Sequence, residues 1–138
     1  GFGAAASELR ERLAEEAAAS RAYLAQLRSA ASAIPDVEIY GPVGEPDRLP
    51  HILCLGVGGV EAEPVLIGLD QAGVAAHSGS SCSSESLEPS PVLEAMGVDA
   101  EHSLRLSVGW STAAPDVERA ARVLPQVIGR LRALMAGG

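Results

Sequence analysis

Two helical stripes bracket this chain and leave room for little but short strands between them. Apolar or small residues fall at Leu9, Leu13, Ala17, Ser20, Leu24, Leu27, Ala31 and Ile34. Steps of three and four put them on one face of a helix. Alanine richness favours that state, and Pro35 ends it. The second stripe runs through Val117, Ala121, Leu124, Ile128, Leu131 and Met135. Thr112 is placed to cap its start, and Pro125 is expected to kink it.

Between the stripes the period changes. Val37 to Tyr40 is a short β-type run stopped by Gly41-Pro42, and the stretch from Pro42 through Pro46 to Pro50 reads as a surface loop. Ile52-Leu-Cys-Leu-Gly-Val57 is a continuous apolar run, expected as a buried strand. Glu61 to Gln71 reads as a helix with Val65, Leu66 and Leu69 inward and Gly73 at its C-cap. Val74 to Ala76 is expected to be a short strand. A brief helix follows from about Pro91 to Met96, with Ser90 as cap and Gly97 as stop. Ser103-Leu-Arg-Leu-Ser107 alternates as a strand does. The pattern predicts one α+β domain without repeats or linkers.

A chain of 138 residues fits one domain, and such a domain buries roughly two-thirds of its unfolded surface. Apolar content is 47% but aromatics are only 3%, so the core is aliphatic. The net charge of −8 argues against nucleic acid or an anionic membrane as partner, since either needs a basic surface. No apolar run approaches the roughly 20 residues of a membrane span. The start, Gly1-Phe-Gly-Ala-Ala-Ala, lacks the basic segment and apolar core of a signal peptide, and without an initiator Met it is expected to be a processed end or an excised piece. Cys54 and Cys82 are too few for a disulfide framework, so a reducing, cytoplasmic compartment is the default expectation. His51, His77 and His102 are scattered singly and no metal site is expected.

The chemistry concentrates at Cys82. It lies in His77-Ser-Gly-Ser-Ser-Cys82-Ser-Ser-Glu-Ser-Leu-Glu-Pro89. Small polar neighbours leave a thiol uncovered, and Gly79 adds backbone freedom. A thiol with a pKa near 8.5 is a few per cent thiolate at pH 7, enough for an effective nucleophile. A passive cysteine in a surface turn fits the same composition. Arg105 is on the strand face opposite Leu104 and Leu106; its guanidinium can clamp a carboxylate through two parallel hydrogen bonds, or simply be solvated. His77, five residues before Cys82, is a candidate proton shuttle or a plain rim residue. Cys54 reads as a small core residue, Gly56-Val-Gly58-Gly59 as a turn, and Trp110 as packing where the last strand meets the last helix. All 10 basic residues are arginines: the chain has no lysine.

Five pieces occur in order: Leu49-Pro-His-Ile-Leu53, His77-Ser-Gly-Ser-Ser-Cys82-Ser-Ser with Leu87-Glu-Pro-Ser90, Val92-Leu-Glu-Ala-Met-Gly97, Ser103-Leu-Arg-Leu-Ser-Val-Gly109, and Val123-Leu-Pro-Gln-Val-Ile-Gly-Arg-Leu-Arg132. Together they resemble the C-terminal part of a cysteine desulfurase, in the class V aminotransferase group of pyridoxal-phosphate (PLP) enzymes. The resemblance implies a fold: the small domain of a fold-type I PLP enzyme, a small, mainly antiparallel sheet with helices over one face. It also implies a division into a linking helix over 1–34 and a small C-terminal domain over 35–138, with a mobile cysteine loop at about 77–90.

By the same resemblance, Cys82 is the nucleophile that takes sulfur from L-cysteine as a persulfide, releasing alanine, and Arg105 binds the substrate carboxylate. His77 is a possible auxiliary. The sulfur goes to an acceptor or scaffold protein for iron–sulfur cluster or thio-cofactor synthesis, and a homodimer is possible. PLP belongs to a large domain outside this chain, on a lysine that this chain lacks, so the isolated chain is expected to bind no PLP and to be inactive. Trp110 stands where related sequences often carry Arg, and Cys54 where they often carry Asn. Rival readings are a freestanding persulfide carrier, the small subunit of a split desulfurase, and a selenocysteine or cystine lyase.

Overall fold

Leu53, Leu55 and Val57 leave one side of strand β2 (Ile52–Val57) and are almost fully buried. Leu104 and Leu106 do the same on β4 (Ser103–Ser107). These two strands pair antiparallel, Leu55 opposite Leu104 and Cys54 opposite Arg105, and form the middle of the sheet. The edges are β1 (Val37–Ile39) beside β2 and β3 (His77–Ser78) beside β4, both antiparallel. The order β1-β2-β4-β3 thus places β3 outside the strand that follows it. The computed structural model describes residues 1–42, 48–79 and 90–137.

Three helices cover the leucine-bearing face: α1 (Phe2–Ser32), α2 (Ala62–Gln71) and α4 (Ala114–Ala136). Their inward residues, Leu24, Leu27 and Ala31 from α1, Val65 and Leu69 from α2, Val117, Leu124 and Ile128 from α4, complete a single aliphatic core with the sheet. Helices α2 and α4 pack closely because residue 68 is glycine: a Cβ there would lie 2.6 Å from Val127 Cγ1. Pro125 sits inside α4, which continues past it. The short helix α3 (Pro91–Ala95) is not on this face. Its Leu93 packs in a second, smaller cluster with Tyr40 and Ala100, against which Cys54 and Val98 rest.

Arg132, late in α4, ties three chain segments together. Its Nη1 donates to Pro35 O at 2.7 Å and its Nη2 to Gly58 O at 2.6 Å, so it caps carbonyls after both α1 and β2. Planar, multiply donating geometry is what a guanidinium offers and an ammonium does not. Arg132→Ala is expected to lower stability by about 1.5–3 kcal/mol, the usual range for hydrogen bonds to a charged group. Arg132→Lys should recover only part of it. Urea midpoints of the three proteins check this; an unchanged midpoint in the alanine variant would sink it.

Several expectations from the sequence are corrected. Leu9 and Leu13 are 60% and 61% exposed, because no described element lies beneath the first turns of α1. Met135 is exposed likewise at the far end of α4. Val74 to Ala76 is not a strand; Val74 N–H is committed to Leu69 O at the end of α2, and pairing starts at His77. Thr112 does not cap α4: the N-cap is Ala113, whose N–H is accepted by Asp116 Oδ2, while Thr112 Oγ1 accepts from Gly109 N–H. Ser90 is the N-cap of α3 but makes no side-chain cap bond. Trp110 does not pack; it is 86% exposed on the turn that Thr112 closes.

Candidate active-site face

The sheet face away from α1, α2 and α4 carries a row of functional side chains. Antiparallel register sets it: Cys54 of β2 pairs with Arg105 of β4, which pairs with His77 of β3. Directly opposed residues put their Cβ atoms about 4.5–5.5 Å apart on the same side of a sheet. Thiol, guanidinium and imidazole therefore lie side by side across three strands. Alternation explains the placement, since Leu104 and Leu106 are driven into the core and Arg105 between them must face the other way.

Arg105 is partly buried and makes no ion pair among the described residues. No carboxylate stands in the row. Among the described residues nothing takes up its donors, and a carboxylate is the group that matches them best. Beside it, burial pushes the Cys54 thiol above its ordinary pKa, while the Leu55 backbone and the Arg105 charge pull weakly the other way. Cys54 is accordingly a neutral neighbour at pH 7. It is also not the core residue expected from the apolar run: it is half-buried on the outer face, against the Leu93 cluster. The flanking Leu53 and Leu55 held that signal, because if both point inward the residue between them cannot.

One end of the row is closed. Tyr40 lies over Gly56, where any Cβ would run into its hydroxyl group, and its O–H donates to Asp99 O at 3.4 Å. Burial, with the nearby Asp99, raises the Tyr40 pKa. Asp99 itself accepts from His102 Nδ1 at 2.8 Å and from the Glu101 N–H at 2.9 Å. Burial is the largest single influence and opposes its ionisation, but the hydrogen bonds from His102 and Glu101 together outweigh it and hold its carboxyl below the usual range. At the other side of β4, Gly79 N–H donates to Ser103 O at 3.1 Å. A Cβ at residue 79 would collide with Ser103 Oγ and Leu93 Cδ1, so this exit from β3 needs glycine. Ser103 is fully buried, its hydroxyl satisfied by Ala100 O at 2.7 Å.

Cys82 lies outside the described residues. The residues on either side of its segment are described, and both belong to this face: Gly79 through Ser103, and α3 through Leu93. The structure thus brings together His77, Arg105 and the unexpected Cys54. Among the described residues no group of three His, Cys, Asp or Glu is arranged to hold a metal ion, and no helix is long and apolar enough to cross a membrane.

A family model described as aminotransferase class-V matches residues 1–120. The chain belongs to the class V aminotransferase family. Within that family its relatives are cysteine desulfurases. It is 41% identical over 104 residues to cysteine desulfurase 1 of Trichormus variabilis, a match spanning 73% of this chain and 26% of that protein. It is 37% identical over 109 residues to cysteine desulfurase IscS of Clostridium botulinum, spanning 77% of this chain and 28% of the relative. The solved structure of a NifS-like protein from Rickettsia africae superposes with a TM-score of 0.77 at 23% identity, covering 94% of this chain and 33% of the other, a likeness of fold. The α+β small-domain architecture expected from the sequence is the one observed, and the chain spans about a quarter of the length of the curated relatives it matches. The family implies PLP, and the face does not fit that cofactor's covalent anchor, because the chain holds no lysine. It fits a carboxylate instead.

Proposed function

We propose that this chain is the small-domain part of a PLP-dependent cysteine desulfurase, contributing the sulfur-accepting thiol and the carboxylate clamp. The observation that carries the reading is Arg105: a central-strand guanidinium on the uncovered sheet face, with no acidic partner among the described residues and both flanks of the cysteine segment fastened beside it. Arg105 binds and orients the carboxylate of L-cysteine. The Cys82 thiolate donates an electron pair to the substrate sulfur and forms a sulfur–sulfur bond. The carbon–sulfur bond breaks, its electron pair stays with the carbon fragment, and protonation of that carbon gives alanine. His77, adjacent to Arg105 in the row, is assigned the role of accepting or returning a proton at the thiol. The cofactor and its lysine belong to a large domain outside this chain, and the persulfide passes to an acceptor protein.

Intact-mass spectrometry tests the assignment. The chain is mixed with L-cysteine, PLP and a separately made large domain from one of the curated relatives. The expected result is a gain of roughly 32 Da, one sulfur, on the chain only when the large domain is present. The chain alone should release no alanine. A gain from a persulfide donor but never from L-cysteine would instead make the chain a carrier. Absence of any gain, with both parts folded and PLP bound, would overturn the reading.

A further inference from the structure

Helices α2 and α4 meet where Gly68 faces Val127 and where Gly73 comes beside Arg119, so they run antiparallel. Both are described along their whole length. They turn Val65, Leu69, Leu124 and Ile128 into the core, and on their exposed side they leave an open trough of about 550 Å³. Its floor is Gly68, Ala72, Val123, Val127 and Leu131. Ile67 and Leu134 stand on its edges, 53% and 65% exposed. From Val123 to Leu134 the trough follows about three turns of α4, or roughly 16 Å. It lies behind the sheet from the Cys54–Arg105–His77 row, so the desulfurase chemistry leaves it unexplained.

Charge is distributed unequally about this trough. Steps of four carry Arg122, Gln126, Arg130 and Leu134 along the α4 edge. Gln126 and Arg130 line the trough, and Arg122 continues the row beyond it. On α2, Glu63 and Asp70 are seven positions apart and neighbour Ile67 at i−4 and i+3, on the flank beyond it. All four charged residues are exposed, and none makes an ion pair among the described residues. One rim is therefore basic and the other acidic, with an apolar floor holding them apart.

We propose that this trough is the docking site for an amphipathic helix of a partner protein, with acidic residues along one flank of its apolar stripe and basic residues along the other. Apolar residues at i, i+4, i+7 and i+11 span the trough and cover Ile67, Val127 and Leu134. The acidic flank lies on Arg130 and Arg122. Long basic side chains on the other flank extend over Ile67 to Glu63 and Asp70, their stems covering apolar surface on the way. A small apolar ligand would fill the floor and meet neither rim. Turning such a helix end for end exchanges its flanks, so the two rims also fix the direction in which it lies. The footprint, roughly 16 Å by 20 Å, falls far short of the about 800 Å² per partner that stable folded pairs bury, which suits one helix better than a second copy of this chain.

The test uses the full chain and a labelled peptide of about 18 residues with Leu at the stripe positions, Glu along one flank, Arg along the other and Ala elsewhere. Fluorescence anisotropy should show saturable binding that weakens as salt rises. A peptide with Gln on both flanks should bind at least about tenfold more weakly, and one with Ser in place of Leu not at all. Arg130→Glu and Asp70→Arg should each weaken the two-signed peptide at least about tenfold, whereas Arg10→Glu, exposed on the first half of α1, should leave it within about twofold. A peptide with Arg on both flanks should recover affinity on the Arg130→Glu chain, a rescue that a misfolded variant could not give. Circular dichroism shows whether the variants are folded. Equal affinity for the two-signed and Gln peptides, no binding at all, or indifference of folded Arg130→Glu and Asp70→Arg chains would each overturn the proposal. So would self-association of the chain in sedimentation that Leu134→Ala abolishes, which would make the trough a contact between copies.

Discussion

Replacing Arg105 by leucine in the two-part desulfurase is expected to lower kcat/KM for L-cysteine by two to four powers of ten. Removing one partner of a desolvated, hydrogen-bonded charge pair costs about 3–5 kcal/mol, and each 1.36 kcal/mol is about tenfold in rate. The side chain is partly buried and its row holds no second cation of fixed charge, only Cys54 and His77, so among the described residues of the row nothing substitutes for it. Arg105→Lys should restore part of the loss, because an ammonium supplies the charge but not the two parallel donors. Cys82→Ser should behave differently: it should abolish sulfur transfer while leaving carboxylate binding in place. Steady-state kinetics of alanine release, together with mass analysis of the chain, separate the two. If Arg105→Leu keeps kcat/KM within about threefold, Arg105 is not the clamp and the reading of the whole face fails with it.

The largest stability effect should come from Leu104. It is fully buried at the centre of β4, opposite Leu55, at the junction of sheet and helices. Leu104→Ala removes the transfer energy of the lost carbons and leaves a space that strands β2 and β3 cannot close, at a cost of about 2–5 kcal/mol. For a domain of this size that corresponds to a fall in Tm of roughly 10 °C or more. Leu134, 65% exposed on α4, is the internal control: Leu134→Ala should stay within about 0.5 kcal/mol. Thermal unfolding followed by circular dichroism checks both, and a Leu104→Ala protein that melts with the parent would contradict the assignment of the core.

Local chemistry by itself determined the helices, the central strands and the outward face of Arg105. Period-3.6 stripes and period-2 alternation are properties of neighbouring residues, so α1, α2, α4, β2 and β4 were all legible. The ordered motifs also carried the family, because spacing along the chain is enough to identify it. Other features depend on what lies across from a residue. Cys54 looked like core in a run of apolar neighbours, and only the β2–β4 register set it beside Arg105 on the outer face. Leu9 and Leu13 continue the stripe of Leu24 and Leu27, yet the sheet stops short of them. Val74 to Ala76 had strand-like composition, but the end of α2 claimed its first N–H.

A sequence determines which surfaces each element will present, since that is set by the side chains and the backbone period. Which surfaces meet, and which are left uncovered among the described residues, was decided only by tertiary structure, because burial and register are properties of pairs of elements rather than of either one.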